Sequence, residues 1–355
     1  MSPSSRHTPI SLVVKTFEAI VSCILRVAVA MALAMIPAVQ ASAQVFEAVG
    51  SRALGMGGAF VALADDSSAT WWNPAGLAAG PFLDLALGWS SADIKDERPA
   101  RRERATWFAV GTPPFGFSYY RLRIIDIGVL DPTEQDSAGR EDRRAAVPVW
   151  SLSASQVGAT LVQTLISGVH AGTTLKYVRA AGLGGEVTGP EAASASELLD
   201  RASELGGGET RGTFDLDVGI LGVRGPVRVG GVVRNLREAE FGGVRLPRQV
   251  RVGAAFDAAE ANGAPFRVAV DADVRTYETS YGDRRVVAIG GEGWPAGHRV
   301  AIRAGARFNM VGAEERAVTA GASLAIRAGM YVDGYLVHGG ARDESGWGIA
   351  ARASF

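Results

Sequence analysis

At 355 residues the chain is long enough for two soluble domains or one large barrel, and its composition, with 45 glycines and one cysteine, leaves both open. A formal charge of −1 provides no basic surplus of the kind nucleic-acid surfaces carry, so nucleic acid is excluded as a partner class. The single Cys23 excludes an internal disulfide framework and a cysteine-built metal site.

Residues 1–43 have the order of a secretory signal peptide. Positive charge at Arg6, Lys15 and Arg26 precedes an apolar run over 27–39, and Ala41-Ser42-Ala43 supplies small residues for cleavage after Ala43. The run falls short of the roughly 20 apolar residues of a membrane helix, and Arg26 interrupts any longer stretch. An uncleaved N-terminal anchor is the alternative. Lipid attachment at Cys23 fails because Lys15 and Glu18 break the apolar run before it. Removal of this leader takes the only thiol with it and leaves a slightly acidic chain.

The next segment, 44–80, carries the most distinctive local sequence. Gly50-Ser51-Arg52-Ala53-Leu54-Gly55-Met56-Gly57-Gly58-Ala59-Phe60 is followed by Ala64-Asp65-Asp66 and then by Trp72-Asn73-Pro74-Ala75-Gly76-Leu77. Gly55, Gly57 and Gly58 permit positive φ and close backbone approach. Asp65, Asp66, Ser67 and Ser68 can satisfy turn or helix-start amides, and Asn73-Pro74 favours a turn. The glycines lack both the Gly-x-Gly-x-x-Gly spacing and the lysine of a phosphate loop, and no βαβ unit follows, which rejects a nucleotide site.

These pieces, in this order, closely resemble the N-terminal signature of the PorV/PorQ-like proteins, a branch of the FadL-type outer-membrane transporter superfamily. Thr174-Leu175-Lys176-Tyr177-Val178-Arg179 also resembles a strand of that family. The resemblance implies an all-β, fourteen-stranded transmembrane antiparallel barrel whose N-terminal segment folds inward as a hatch or plug. Small Ala53, Ala59, Ala62 and Ala64 suit such a narrow lumen. The expected division is a leader over 1–43, a hatch over 44–80 and a barrel over 81–355.

From about Pro81 onward, apolar and polar residues alternate in short runs, the period of a strand with two unlike faces. The pattern predicts strands near 81–92, 105–113, 115–127, 147–165, 168–179, 212–222, 226–236, 247–257, 264–277, 283–293, 298–308, 316–327, 329–340 and 344–355. Phe266, Val268, Val270, Ala272 and Val274 share one face of their run, against Arg267, Asp271, Asp273 and Arg275 on the other. Val300, Ile302, Ala304, Ala306 and Phe308 oppose Arg303 and Arg307, and Phe214, Leu216 and Val218 oppose Asp215 and Asp217. Alternation alone does not say which face is outside. A soluble sandwich turns its charges to water, whereas a membrane barrel turns them inward.

The connections fall into two sizes, as barrel turns do. Short ones lie at Thr112-Pro113-Pro114, Arg224-Gly225-Pro226 and Pro295-Ala296-Gly297, and long polar ones at 93–104, 128–146 and 180–211, the last with a short surface helix within 191–205. In the final run Trp347, Ile349, Ala351, Ala353 and Phe355 share a face. A terminal aromatic on such a strand resembles the signal read by the bacterial barrel-assembly machinery, so Phe355 is the candidate assembly residue and the outer membrane the expected location.

Catalytic chemistry finds little support. His170, His298 and His338 are dispersed and form no metal-ligand motif, and no nucleophile sits in a catalytic signature, so no enzyme activity, metal or cofactor is expected. Asp215/Asp217 and Asp271/Asp273 have the i, i+2 spacing that places each pair on one strand face, where it can bind a cation or act as acid and base. Arg228, Arg234, Arg251, Arg267, Arg275, Arg303 and Arg307 suggest a simpler role, in which opposite charges on neighbouring strands neutralise one another inside a barrel.

Resemblance to FadL-type transporters implies passive uptake or transfer of small hydrophobic compounds past the hatch. Phe46, Met56, Phe60, Trp71 and Trp72 are the candidates for apolar ligand contact, or else anchors of the plug against the barrel wall. The backbone motif is Gly55, Gly57, Gly58, Asp65, Asp66, Asn73 and Pro74. Two alternatives stay open: a non-transporting barrel that partners secretion-system components, as in the PorV branch, and a structural membrane protein. Outer-membrane lipid and the assembly machinery are expected partners of any of these.

Overall fold

The computed structural model describes residues 42–43, 49–94, 100–128, 144–190, 194–205, 208–241, 244–279, 282–295, 299–312, 315–340 and 344–355. The expected leader up to residue 41, its cleavage site at Ala43 included only in part, and Phe46 lie outside them.

Fourteen strands form a closed barrel. They are β1 (Asp84–Ile94), β2 (Ala100–Thr112), β3 (Phe115–Ile127), β4 (Arg144–Ile166), β5 (Val169–Pro190), β6 (Thr210–Arg224) and β7 (Val227–Arg234). There follow β8 (Gln249–Asp257), β9 (Phe266–Asp273), β10 (Val286–Gly293), β11 (Val300–Asn309), β12 (Arg316–Arg327), β13 (Met330–Gly339) and β14 (Glu344–Ser354). Each pairs antiparallel with the next, and β14 pairs back with β1 from Ser354↔Asp84 to Glu344↔Ile94. Every strand read from the alternation is present.

The largest departure concerns β5, which runs on to Pro190 where the sequence pattern suggests a long loop from 180. Its ladder with β4 continues to Arg144↔Pro190. The extension, Ala-Ala-Gly-Leu-Gly-Gly-Glu-Val-Thr-Gly-Pro, is mostly glycine and alanine, so it carries little alternation to read. Conversely, β9 stops at Asp273, short of the expected 277.

The faces divide as the charges demand. In β9 Phe266, Val268 and Val270 are exposed while Asp271 and Asp273 are buried, and in β11 Ile302 is 57% exposed beside Arg303 at 2%. Large apolar side chains outside and charged ones inside invert the pattern of a water-soluble sheet and match a wall set in lipid. No described helix is long and apolar enough to cross a membrane.

The two-residue connections 113–114, 167–168, 225–226 and 328–329 all lie at one end of the barrel, and the longest ones, 128–143 and 191–209, at the other. At the short end, Phe355 and Leu83 exchange backbone hydrogen bonds of 2.8 and 3.1 Å across the β14/β1 seam, and the Phe355 ring is exposed. At the long end, α3 (Ala195–Glu204) begins with a capping box between Ser194 and Glu197. Leu198, Leu199 and Ala202 bury one face of this helix against Ile125, Ile127, Val147, Val149 and Val187. Ile125 and Ile127 share the outward face of β3 with exposed Phe117 and Tyr119, so α3 leans on the outside of the wall.

Candidate functional site: a hatch clamped inside the barrel

Residues 49–80 fill the lumen. The segment starts with α1 (Ser51–Gly55), continues through α2 (Ala69–Trp72) and ends in a 3-10 turn at Pro74–Ala79. Gly57 and Gly58 hold φ of 70° and 85°, a backbone that side chains resist, so they form the tight turn after α1. Gly55 serves the second of the two expected roles, close backbone approach, without a positive φ. It is helical, and a Cβ there would lie 3.2 Å from the Cα of Gly321 on β12, so the residue is small because two backbones meet.

The wall makes the matching accommodation. A Cβ on Gly290 would stand 2.2 Å from the Met56 carbonyl oxygen, one on Gly305 2.2 Å from the Met56 carbonyl carbon, and one on Gly219 2.1 Å from Asn73 Oδ1. Glycine thus occurs on the wall where hatch backbone presses on it.

Arg52 on α1 is the principal tie. Its Nε and Nη2 donate to Glu292 on β10 at 2.8 and 2.7 Å, and its Nη1 donates to Asp65 at 2.5 Å and to Asp66 at 3.3 Å. The chain of charges continues strand by strand: Arg303 on β11 donates to Glu292 at 2.6 Å and to Ser323 on β12 at 2.6 Å. Ser323 meets Asp333 on β13, and Arg352 on β14 donates to Asp333 at 2.9 Å. Arg352 lies 3.6 Å from Asp84 on β1, which in turn accepts the Ser67 amide of the hatch at 2.8 Å. In the other direction Asp65 accepts from Arg267 on β9 at 2.8 Å and from Arg228 on β7 at 3.5 Å. Burial alone would push the Asp65 carboxyl up, but Arg52, Arg267 and Arg228 together hold it below its ordinary value.

This overturns one expectation. Asp65 caps no turn; it is the hub between hatch and wall. Asp66 does satisfy a turn just ahead of α2, accepting from the Ser68 amide at 3.0 Å and hydroxyl at 2.5 Å. Asn73 accepts from the Ala75 amide at 3.2 Å, the turn expected of Asn-Pro, and donates to the Val61 and Ile220 carbonyls at 2.9 and 3.0 Å, fastening the hatch to β6. Pro74 opens the 3-10 turn.

The aspartate pairs are divided among separate structural tasks. Asp271 accepts the amides of Phe60 and Val61 at 2.8 Å each, and Asp273 pairs with Arg251 at 2.8 Å. Asp217 accepts from Lys176 at 2.6 and 2.9 Å, while Asp215 accepts the Arg237 amide at 2.9 Å. Mutual neutralisation on inward faces is therefore the arrangement found for Asp217 and Asp273. Among the described residues no three histidines, cysteines or carboxylates are grouped to hold a metal ion.

Met56, Phe60, Trp71 and Trp72 are all buried. The structure brings three of them together with wall cations: Trp72 meets Phe60 edge-on at 6.4 Å, Trp71 meets Tyr120 of β3 at 5.0 Å, and Arg234 of β7 lies over both indoles at 5.1 and 5.7 Å. Trp72 Nε1 also donates to the Val49 carbonyl at 2.9 Å. Met56 packs apart from them, at Gly290 and Gly305. On the long-connection side of the hatch lies a cavity of about 40 Å³, walled by Leu54, Tyr335 and Val337 and by charged Arg101, Arg307 and Glu344.

No protein-family model and no curated protein matches the sequence. Solved structures do match the fold. The P. putida toluene transporter TodX gives a TM-score of 0.59 at 12% identity, covering 87% of this chain and 99% of that one. The Ralstonia pickettii toluene transporter TbuX gives 0.58 at 16% identity, with the same coverage of 87% and 99%. The CymD monoaromatic hydrocarbon channel gives 0.56 at 14%, covering 86% and 97%.

Proposed function

We propose that the chain is an outer-membrane barrel, exported through its 1–43 leader, that passes small hydrophobic compounds passively, with 44–80 as its hatch and 81–355 as its wall. One observation carries this reading: a wall with an apolar exterior encloses an N-terminal segment that occludes the lumen, in the same fold as toluene and monoaromatic hydrocarbon channels. An occluded lumen favours gated passage over a permanent nonspecific pore. The N-terminal motif is the basis for placing the chain beside the PorV/PorQ-like branch, while these barrels support its transporter side and lend nothing to a secretion role.

Ligand would enter between the long connections, meet the cavity above Leu54, and pass when α1 and the turn after it shift. The described state is closed. Strand pairing runs unbroken around the wall, so the lateral route requires the wall to part and the axial route requires the hatch to move. Met56, Phe60, Trp71 and Trp72 would become the apolar surface met during that movement, and in the closed state they anchor the plug.

The test is a chain lacking 47–77 but keeping its leader, compared with wild type at matched inserted amounts in liposomes. Polar-solute leakage is expected to rise and selective transfer of toluene to fall. Unchanged leakage together with unchanged transfer removes the proposal, and a general loss of inserted barrel assigns the segment to bracing instead.

A further inference from the structure

Many charges of the lumen pair with one another, whereas among the described residues four arginines of the outer wall meet no carboxylate. Arg104 on β2, Arg121 and Arg123 on β3 and Arg179 on β5 all point outward, and all but the partly buried Arg123 are exposed. Arg104 stands directly opposite Arg123 in the ladder. Ser155 of β4 stands between Arg121 and Arg179, and Ser153 lies opposite Arg123. With strands about 4.8 Å apart, the four guanidiniums occupy a patch roughly 14 Å across. Among the described residues none of the four has a carboxylate within salt-bridge distance; Arg123 donates at 2.7 Å to the Ser203 carbonyl of α3. Arg102, on the same outward face, shows what neutralisation looks like there, with Asp93 at 3.0 Å and Asp200 at 2.5 Å.

Like charges set directly opposite on neighbouring strands destabilise a sheet unless an anion bridges them. The position says where such an anion comes from. Two residues before Arg121 on the same face is exposed Tyr119, and two before Arg179 is exposed Tyr177, which packs on Phe214 at 5.1 Å. Aromatics of this kind mark the border of the lipid-facing band. On the other side the wall is covered by α3. The arginines therefore lie between hydrocarbon-facing aromatics and the rim, where long side chains reach headgroups while their stems stay apolar.

Resting on the outer-membrane reading above, we propose that Arg104, Arg121, Arg123 and Arg179, with the Ser153 and Ser155 hydroxyls, form a binding site for the phosphate groups of an anionic membrane lipid on the barrel's outer wall. Guanidinium forks match phosphate oxygens in pairs, and the serines add donors between them.

The test uses the full barrel in mixed micelles of phosphatidylglycerol and phosphatidylcholine, with native mass spectrometry counting retained lipid. Wild type is expected to retain phosphatidylglycerol in preference, and excess inorganic phosphate is expected not to displace it. Arg121→Gln with Arg179→Gln is expected to lower that retention about fivefold per arginine removed, while Arg327→Gln, exposed at the opposite end of the barrel, leaves it unchanged. The same comparison is made with all four arginines changed to Gln; should that variant fold poorly, the double variant still decides, because its heat-modifiable migration reports an intact barrel. Equal retention of both lipids by wild type, or undiminished retention by the folded double variant, overturns the lipid site. Displacement by inorganic phosphate reassigns the patch to free anion and likewise overturns it. Failure of wild type to insert into any bilayer sinks the outer-membrane reading itself.

Discussion

Arg52 of the hatch and Glu292 of β10 meet as a two-pronged pair, Nε to Oε2 at 2.8 Å and Nη2 to Oε1 at 2.7 Å, with both side chains sealed from solvent. Neither partner depends on the other alone. Glu292 also holds Arg303, and Arg52 also holds Asp65 and Asp66, so the pair joins two networks that would each persist without it.

Arg52→Ala separates these networks. The wall retains Glu292–Arg303 and Asp65 retains Arg267, so the loss falls on hatch attachment. Removing one member of a buried pair costs roughly 3–5 kcal/mol. Planar-bilayer recordings are expected to show raised conductance and more frequent openings, with heat-modifiable migration on gels preserved. Glu292→Gln is expected to do less, since Arg52 keeps two carboxylates. Wild-type conductance in Arg52→Ala would show that the clamp does not hold the gate.

Asp271 tests the second attachment. Asp271→Ala strands the buried amides of Phe60 and Val61, at about 1–3 kcal/mol for each unsatisfied group. Hydrogen exchange followed by mass spectrometry is expected to speed at residues 60–61 while the strand amides stay protected. Asp271→Asn keeps one acceptor oxygen and is expected to fall between. Equal exchange in all three proteins counts against Asp271 as the hatch acceptor.

The fit between hatch and wall is tested by Gly305→Val, which places a side chain where Met56 and Gly57 backbone lies within 2.5 Å. Expulsion of the hatch is expected, seen as protease cleavage within 49–80 in a barrel that remains heat-modifiable. Gly340→Ala, with nothing within 4 Å, is the neutral comparison. A protease-resistant hatch in Gly305→Val would mean that the wall yields more easily than the close approach implies.

Phe355→Asp addresses the seam. The ring is 62% exposed on the lipid-facing side and its backbone is paired to Leu83. A charge there is expected to slow insertion, measured as the rate at which heat-modifiable barrel accumulates in the outer-membrane fraction. Accumulation at the wild-type rate would remove Phe355 as an assembly residue.

The wall was legible because a strand with lipid on one face and charge on the other writes its period directly into the chain. Phe266-Arg267-Val268 and Ile302-Arg303 needed no tertiary information to be placed. The hatch was legible as a segment, through its glycines and its Asn73-Pro74 turn, but its attachments were not. Arg52 is separated by 240 positions from Glu292, and a single arginine in a glycine-rich run carries no periodic signal. The same limit hid Asp84 and Asp333, each a lone charge on an inward face whose partner lies one strand away. Asp65 shows the same limit: a carboxylate in Asp-Asp-Ser-Ser looks locally like a cap, while arginines 13, 163 and 202 positions away converge on it. The buried face of α3 was hidden too, since its capping box predicts a helix but not the wall it leans on.

The pairing of β1 with β14 also constrains the order in which the molecule can be built. The hatch precedes β1 in the chain yet ends up encircled by strands that follow it, and a completed ring would have to be threaded by residues 49–80 to reach that state. Polypeptides avoid threading. A sheet that curls around a segment already lying on its inner face needs none, and assembly is expected to run in that order, with the hatch as the mandrel on which the wall is rolled. Contacts so remote in the chain form slowly, and the wall strands carrying Arg228, Arg267 and Glu292 bring their charges to the mandrel. When Ser354 pairs with Asp84, the seam shuts on a lumen already occupied by the hatch.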